Sequence, residues 1–316
     1  MLFKYYIISW YEKNVLPRVR ENTAFFAMNI IQYHIIESEL GNKELTEIKA
    51  KDIEDFLNQK MINGNRITKK GLSHSVLTKL RQYILACLRH ANKEGIITKN
   101  FDNDISQIKI KYKRTKAFSI QERDYFLKET EKTKFGLIFY MLFYTGCRRG
   151  EILGLSWDNV DFTEKNITIS QSILFYNNKV KLINNTKNET SYRIIPLPDI
   201  VIQKLKEHFN KQKNYLKQKG LNNHFGLVFI DNKGNPINPI NLSRSFKYYV
   251  KHLGLSNSYH IHCTRHTWAT LMLQNKVSLI DIQYLGGWSK PTVLLNIYSH
   301  ITKDTHRLAM NKLFKK

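Results

Sequence analysis

The chain is short of backbone breakers, short of acid and short of sulfur. Of its 316 residues only 6 are proline and 14 glycine, below average usage, so long flexible or repetitive tracts are not expected. Asp and Glu number 26 against 50 Lys and Arg, leaving a formal charge of +24 and a pI near 9.8. That surplus points to a polyanionic partner, because cations laid along phosphates release condensed counterions. Three cysteines, Cys87, Cys147 and Cys263, are odd in number and lack framework spacing. They exclude a disulfide scaffold and read as reduced thiols. The longest apolar run, Phe135 to Tyr144, is too short to span a bilayer and reads as a buried helix. Met1 is followed by no charged n-region, apolar core and cleavage site, so no secretory signal is expected.

What is present is helical periodicity with basic outer faces, over a length sufficient for two ordinary domains. Residues 1–108 read as a helical unit. Thr23 to Ile36 spaces Phe25, Met28, Ile31 and Ile35 along one face, and Glu47 to Asn63 does so with Ile48, Ile53, Phe56 and Leu57. Leu77, Leu80, Ile84, Leu88 and Ala91 make the cleanest stripe, with Lys79, Arg81 and Arg89 largely on the other faces. Residues 109–117 carry five cations between Lys109 and Lys116 without apolar periodicity, a basic linker. A second unit begins at 118, where Ser119 and Glu122 have capping-box spacing. Asn166–Phe175, Lys179–Ile183 and Tyr192–Leu197 alternate and read as three short strands, the last two forming a hairpin with Lys187 at its tip. Helical patterns return over Ile200–Tyr215 and Leu242–Leu253.

Two stretches carry chemistry. Thr145-Gly-Cys-Arg148-Arg149-Gly-Glu151 puts a glycine-flanked arginine pair directly after the buried helix, where Arg is rare without an anionic partner. Tyr259–His300 holds His262-Cys-Thr-Arg265-His266, then Leu285-Gly-Gly-Trp288, then Tyr298-Ser-His300. His262 and Arg265 share one helix face, and beside Trp288 and Tyr298 such a pair can surround a phosphate. The histidines and Cys263 also invite a metal reading. Cys263 stands where a metalloprotease needs its Glu base, a third ligand is lacking, and Arg265 inside the cluster repels a cation, so no metal is expected.

In order and spacing, these elements together with Thr186-Lys187 resemble the tyrosine recombinases, the phage-integrase family. The ten-residue step from Trp288 to Tyr298 is similar to that in integrases of conjugative transposons and genomic islands. The resemblance implies a mainly α fold with a small antiparallel β-sheet. A helical, SAM-like core-binding domain (1–108) would join by the linker to a mixed α/β catalytic domain (118–316) of the DNA breaking–rejoining fold. It implies that Arg148 and Arg265 bind the non-bridging phosphate oxygens as planar forks. Tyr298 would attack, His262 accept or organise its proton, and Lys187 protonate the departing 5′-oxygen. Trp288, where the family often has His, would donate its indole N–H while packing the site. Glu151 and His300 would support these groups; Arg149 competes with Arg148, and Lys181 with Lys187. Lys79, Arg81, Lys111, Lys113, Arg114 and Lys116 would contact DNA.

No cofactor is implied, because the phosphotyrosyl link conserves the energy of the broken bond. The expected partners are double-stranded DNA at attachment sites, a homotetramer on that DNA, and accessory excision or DNA-bending proteins, with no membrane. The expected place is the cytoplasm of a bacterium or phage-infected host, at the nucleoid. Leu308, Leu313 and Phe314 form an apolar face that packs on its own domain or docks on a neighbouring protomer. Thr264 replaces a usual Leu, and the arm-binding domain often found at the N-terminus of such integrases is not seen before the core-binding helices. A type IB topoisomerase would use the same residue types, and a catalytically silent DNA-binding regulator would keep the fold; the Trp288-to-Tyr298 step and filled catalytic positions favour the recombinase.

Overall fold

The computed structural model describes residues 1–108, 116–184, 192–292 and 294–295. Contacts divide the chain into two compact units, Met1–Lys113 and Arg114–Lys316.

The first unit is helical. Helix α1 (Phe3–Trp10) widens into a π-type turn over Tyr11–Val15 and stops at Pro17, which has no N–H to continue the ladder. Helix α2 (Glu21–Ile30) likewise runs on through a wide turn to Ile36. Helix α3 (Ala50–Asn63) and the long α4 (His74–Lys93) follow. The expected α4 stripe is buried, with Leu85 and Cys87 joining it. Ser73 caps the helix by accepting from the Val76 N–H. Arg81, also a candidate for DNA contact, donates to the carbonyls of Ile105 at 2.7 Å and Ser106 at 3.0 Å. It fastens the end of the unit to α4.

The second unit opens on α5 (Ile120–Thr130). Ser119 Oγ accepts from the Glu122 N–H, and Glu122 returns the bond to the Ser119 N–H at 2.9 Å, the reciprocal cap its spacing suggests. Glu122 also accepts from the Tyr259 hydroxyl at 2.8 Å, and the Tyr259 ring stacks on Phe118 with centroids 3.8 Å apart. This ties the start of the unit to the segment that later supplies His262. Buried helix α6 (Gly136–Thr145) passes through a core of Phe118, Phe126, Phe139, Phe143 and Phe246. Then come α7 (Arg149–Leu153) and the strands β1 (Val160–Asp161), β2 (Asn166–Ile169), β3 (Gln171–Tyr176), β4 (Lys179–Asn184) and β5 (Arg193–Pro196). Helices α8 (Asp199–Lys219), α9 (Pro239–His252), α10 (His262–Gln274) and α11 (Leu279–Gly286) complete the described elements.

The strands correct two expectations. Asn166–Phe175 is not one strand: β2 lies in a three-stranded antiparallel sheet β1–β2–β5, and β3 pairs with β4 in a separate hairpin. The chain changes sheets at Ser170 because β3 is drawn onto α7. A Cβ at Gly154 would lie 2.8 Å from Ser172 Cα, so glycine there permits helix end and strand to touch backbone to backbone. Accordingly β4 and β5 do not form a hairpin with each other. The tight turn is instead Asn177–Asn178, both at positive φ, between β3 and β4. A satellite cluster of Trp268, Ala269, Ile282, Trp288 and Leu294 joins α10 to α11.

Candidate active site

Three short segments supply the site. The first is the start of α7: the Arg148 N–H donates to Glu151 Oε2 at 2.8 Å, so the N-cap residue and the residue three positions on are bound to each other. Arg148 Nη1 reaches the other oxygen, Glu151 Oε1, also at 2.8 Å. The second is the first turn of α10, where His262 faces solvent and Arg265, one turn on, is buried. The third is the end of α11, closed by Gly287 in the left-handed region at φ 68°. A Cβ on Gly286 would sit 1.9 Å from the Trp288 ring. Both glycines are therefore needed to fold Trp288 back beneath the helix end.

The result is a row of three successive carbonyls, each holding one guanidinium. Arg193 Nε donates to Leu285 O at 2.7 Å, Arg265 Nη1 to Gly286 O, and Arg148 Nη2 to Gly287 O at 2.7 Å. These are the last carbonyls of a helix, the negative end of its dipole, which favours cations. Arg265 Nη1 also donates to Gly146 O at 2.8 Å, and its guanidinium lies 3.5 Å over the Trp288 ring centre. Trp288 stacks in turn on Trp268, at 20° between planes.

The charge balance is uneven. Glu151, 3% exposed, faces both Arg193 and Arg148. Burial alone would raise its carboxyl, but the Arg193 field and hydrogen bond, then those of Arg148, hold it below the usual carboxylate range. That leaves Arg265 as surplus charge. Burial first, then the like charge of Arg148, push it down to about 9. Its Nη2 is buried without a hydrogen-bond partner among the described residues. A buried cation with an open donor is a place short of one anion. His262 is held below its ordinary 6.5, by burial and then by the fields of Arg149, His260, Arg265 and Arg148, so it stands neutral near pH 7.

Of the residues singled out in the sequence, the structure brings together Arg148, Glu151, Arg265 and Trp288, with His262 at the rim. Trp288, expected both to donate its indole N–H and to pack the site, lays its ring as an aromatic floor under Arg265. Arg149 turns away from the carbonyl row and donates to Ser243 on α9. Lys181 lies 4.9 Å over the Tyr176 ring. His260 Nδ1 contacts Cys263 Sγ at 2.7 Å. Lys187, Tyr298, His300, Lys111, Lys113, Arg114, Leu308, Leu313 and Phe314 lie outside the described residues. Lys79 and Lys116 are exposed.

Sequence reasoning missed Arg193. The signal was its parity: it shares the inward face of β5 with Ile195, and an inward Arg requires a buried anion.

The phage integrase family model matches residues 124–305, and a phage integrase N-terminal SAM-like domain matches residues 2–61. A XerC-like tyrosine recombinase of Caldanaerobacter subterraneus is 28% identical over 287 residues, 85% of this chain and 71% of that protein. The transposase of transposon Tn916 from Enterococcus faecalis is 23% identical over 314 residues, 95% of this chain and 74% of its own length. Among solved structures, the integrase of transposon Tn1549 in complex with transposon right-end DNA superposes with a TM-score of 0.82 at 21% identity, covering 100% of both chains. A lambda integrase dimer bound to a core site superposes at 0.67 with 18% identity, over 94% of this chain and 77% of the other. The fold is shared with both, and the chain belongs to the phage integrase family of tyrosine recombinases.

Proposed function

We propose that the arginine-lined cluster is where a DNA phosphodiester is bound, cut and rejoined, and that this strand transfer integrates and excises a mobile element. The observation that carries the reading is the open Nη2 of Arg265 beside a neutral His262, next to a half-exposed Arg148. A phosphate there would supply the missing anion. Arg148 and Arg265 would hold the non-bridging oxygens already oriented, so negative charge gathering in the transition state meets donors that need not reorganise. Trp288 keeps water from the back of the Arg265 guanidinium, which strengthens that interaction.

Tyr298 is the proposed nucleophile. Its phenol oxygen forms the bond to phosphorus while the 5′-oxygen leaves, giving a 3′-phosphotyrosyl link and a free 5′-hydroxyl. His262 accepts or organises the phenol proton, Lys187 donates the proton to the leaving oxygen, and His300 supports the nucleophile's surroundings. The reverse attack by a 5′-hydroxyl from another duplex completes exchange. Solved relatives include the Tn1549 integrase with a circular intermediate DNA and a lambda integrase tetramer on a Holliday junction. These support a homotetramer acting on two duplexes at attachment sites. The first unit and the basic stretch through Lys116 would grip DNA as the core-binding domain and linker. Among the described residues no helix is long and apolar enough to cross a membrane, and we place the protein in the bacterial cytoplasm with its DNA.

The test is covalent capture. The wild-type chain, incubated with a nicked duplex carrying the element-end sequence, forms a protein–DNA adduct stable to denaturant. Tyr298→Phe binds the same duplex and forms none. Adducts surviving in that variant overturn the assignment, and relaxation of plasmid lacking any such sequence would favour a topoisomerase instead.

A further inference from the structure

We propose that Arg193 is a positioning residue for strand transfer: it sets Arg148 through Glu151, and sets both Arg148 and Arg265 through the carbonyl row that ends α11. The proposal rests on the site reading above and goes beyond it, since it gives a role to a buried arginine that bonds α7 and α11. At 1% exposure it has no route to a ligand. Among the described residues it bonds α7, Cys147 and α11. Nη2 donates to Glu151 Oε2 at 2.7 Å and lies 3.5 Å from Cys147 Sγ; Nη1 is 3.4 Å from Glu151 Oε1; Nε donates to Leu285 O at 2.7 Å.

The geometry explains why the position takes arginine. One planar group reaches α7 on one edge and α11 on the other, which a lysine ammonium on its flexible stem cannot do with comparable fixity. Each oxygen of Glu151 then serves two clients. Oε2 accepts from the Arg148 N–H and from Arg193, and Oε1 accepts from the Arg148 side chain with Arg193 beside it. Without Arg193 the Glu151 carboxylate would face burial with Arg148 as its remaining ion-pair partner among the described residues, and its protonation would release Arg148 Nη1. On the other edge, Leu285 O is the first carbonyl of the row whose next two members hold Arg265 and Arg148. Fixing the first fixes the register of the others.

The experiment measures single-turnover cleavage of a nicked suicide duplex carrying the element-end sequence, alongside equilibrium binding of the same duplex. Arg193→Lys should cleave roughly 10–100-fold more slowly, the scale of a misplaced reacting group, with binding nearly unchanged. A double-mutant cycle supplies a readout that general loosening would not move. In an Arg148→Lys background the further loss on Arg193→Lys should shrink to about threefold or less, because contacting partners are not additive. Should Arg193→Lys not fold, the paired Glu151→Leu/Arg193→Met variant replaces the buried ion pair by apolar side chains, an exchange that stability commonly tolerates. It should fold and still cleave slowly. Cleavage at the wild-type rate in either variant, or a loss that simply multiplies in the cycle, overturns the proposal. A wild-type chain that forms no adduct overturns the site reading with it, whereas adducts from wild type and Arg193→Lys at equal rates overturn only the role of Arg193.

Discussion

Each unit contains a forked arginine–carboxylate pair, and the two differ chiefly in water. In the first unit Arg89 donates to both oxygens of Asp102 at 2.7 and 2.6 Å, with side chains 59% and 31% exposed. In the second, Arg193 and Glu151 meet at 2.7 Å with exposures of 1% and 3%. The shorter limbs match, although the second limb of the buried fork is longer at 3.4 Å, and the surroundings assign the two pairs different work. Around Arg89, water competes for every donor and screens the charges, so the pair trims a loop against α4. Around Arg193 no water replaces a lost partner, so the pair commits Arg148, α7 and α11 to one arrangement. The buried pair specifies geometry, and the exposed pair adds a small increment of stability.

The largest way to break this comparison is to remove one side of the buried pair. Arg193→Met leaves Glu151 buried with a single side-chain cation partner, and should destabilise the second unit by about 3–5 kcal/mol. Urea unfolding followed by tryptophan fluorescence reports that unit, because Trp157, Trp268 and Trp288 lie in it and only Trp10 lies in the first. A loss below about 1 kcal/mol, the range of exposed pairs, would mean that burial does not separate the two pairs.

Acid sharpens the comparison from another direction. Burial, and then the fields of His260, Arg265 and His262, push His266 down to about 4. An unfolded histidine takes its proton near 6.5, so between those values the unfolded chain binds more protons than the folded one. Stability is therefore complete above pH 6.5 and is lost as pH falls toward 4, by at most about 1.4 kcal/mol per pH unit for one site. His266→Gln should flatten that slope in the second unit's unfolding. An unchanged slope would remove His266 from the site's electrostatics. Asp102, held down by its hydrogen bond to Arg89, should register only below its ordinary 3.8.

Much of the site was legible because its parts are local. Ser119 with Glu122, Arg148 with Glu151, His262 with Arg265, and Gly286-Gly287-Trp288 each sit within one helical turn, where spacing determines which groups meet. Arg193 was not legible, since its partners come from α7 and α11 and only tertiary packing joins them to β5. The sheet change at Ser170 was hidden for a similar reason. An alternating run reads as one strand until a remote glycine, here Gly154, draws half of it elsewhere. Helix α1 was passed over because its tyrosines, isoleucines and tryptophan are as common in strands as in helices, and packing decided the matter. Arg81 carries a contact that was not legible either: from the outer face of its stripe it reaches two backbone carbonyls more than twenty residues on.

The smallest expected effect tests the exposed side. Arg89→Ala should cost the first unit about 0.2–1 kcal/mol. Its loop is also held by the buried side chains of Phe101 and Ile105 and by Arg81 on the Ile105 and Ser106 carbonyls. Salt separates this pair from its buried counterpart. At ~1 M salt the screening length shrinks to about 3 Å, so much of the Arg89 contribution should vanish while the penalty of Arg193→Met persists. The measurement is urea unfolding of wild type and both variants at low and high salt, with the first unit followed by hydrogen exchange along α4. If the Arg89→Ala penalty holds at high salt, the fork itself carries the energy, and exposure would no longer explain why one pair is expendable and the other is not.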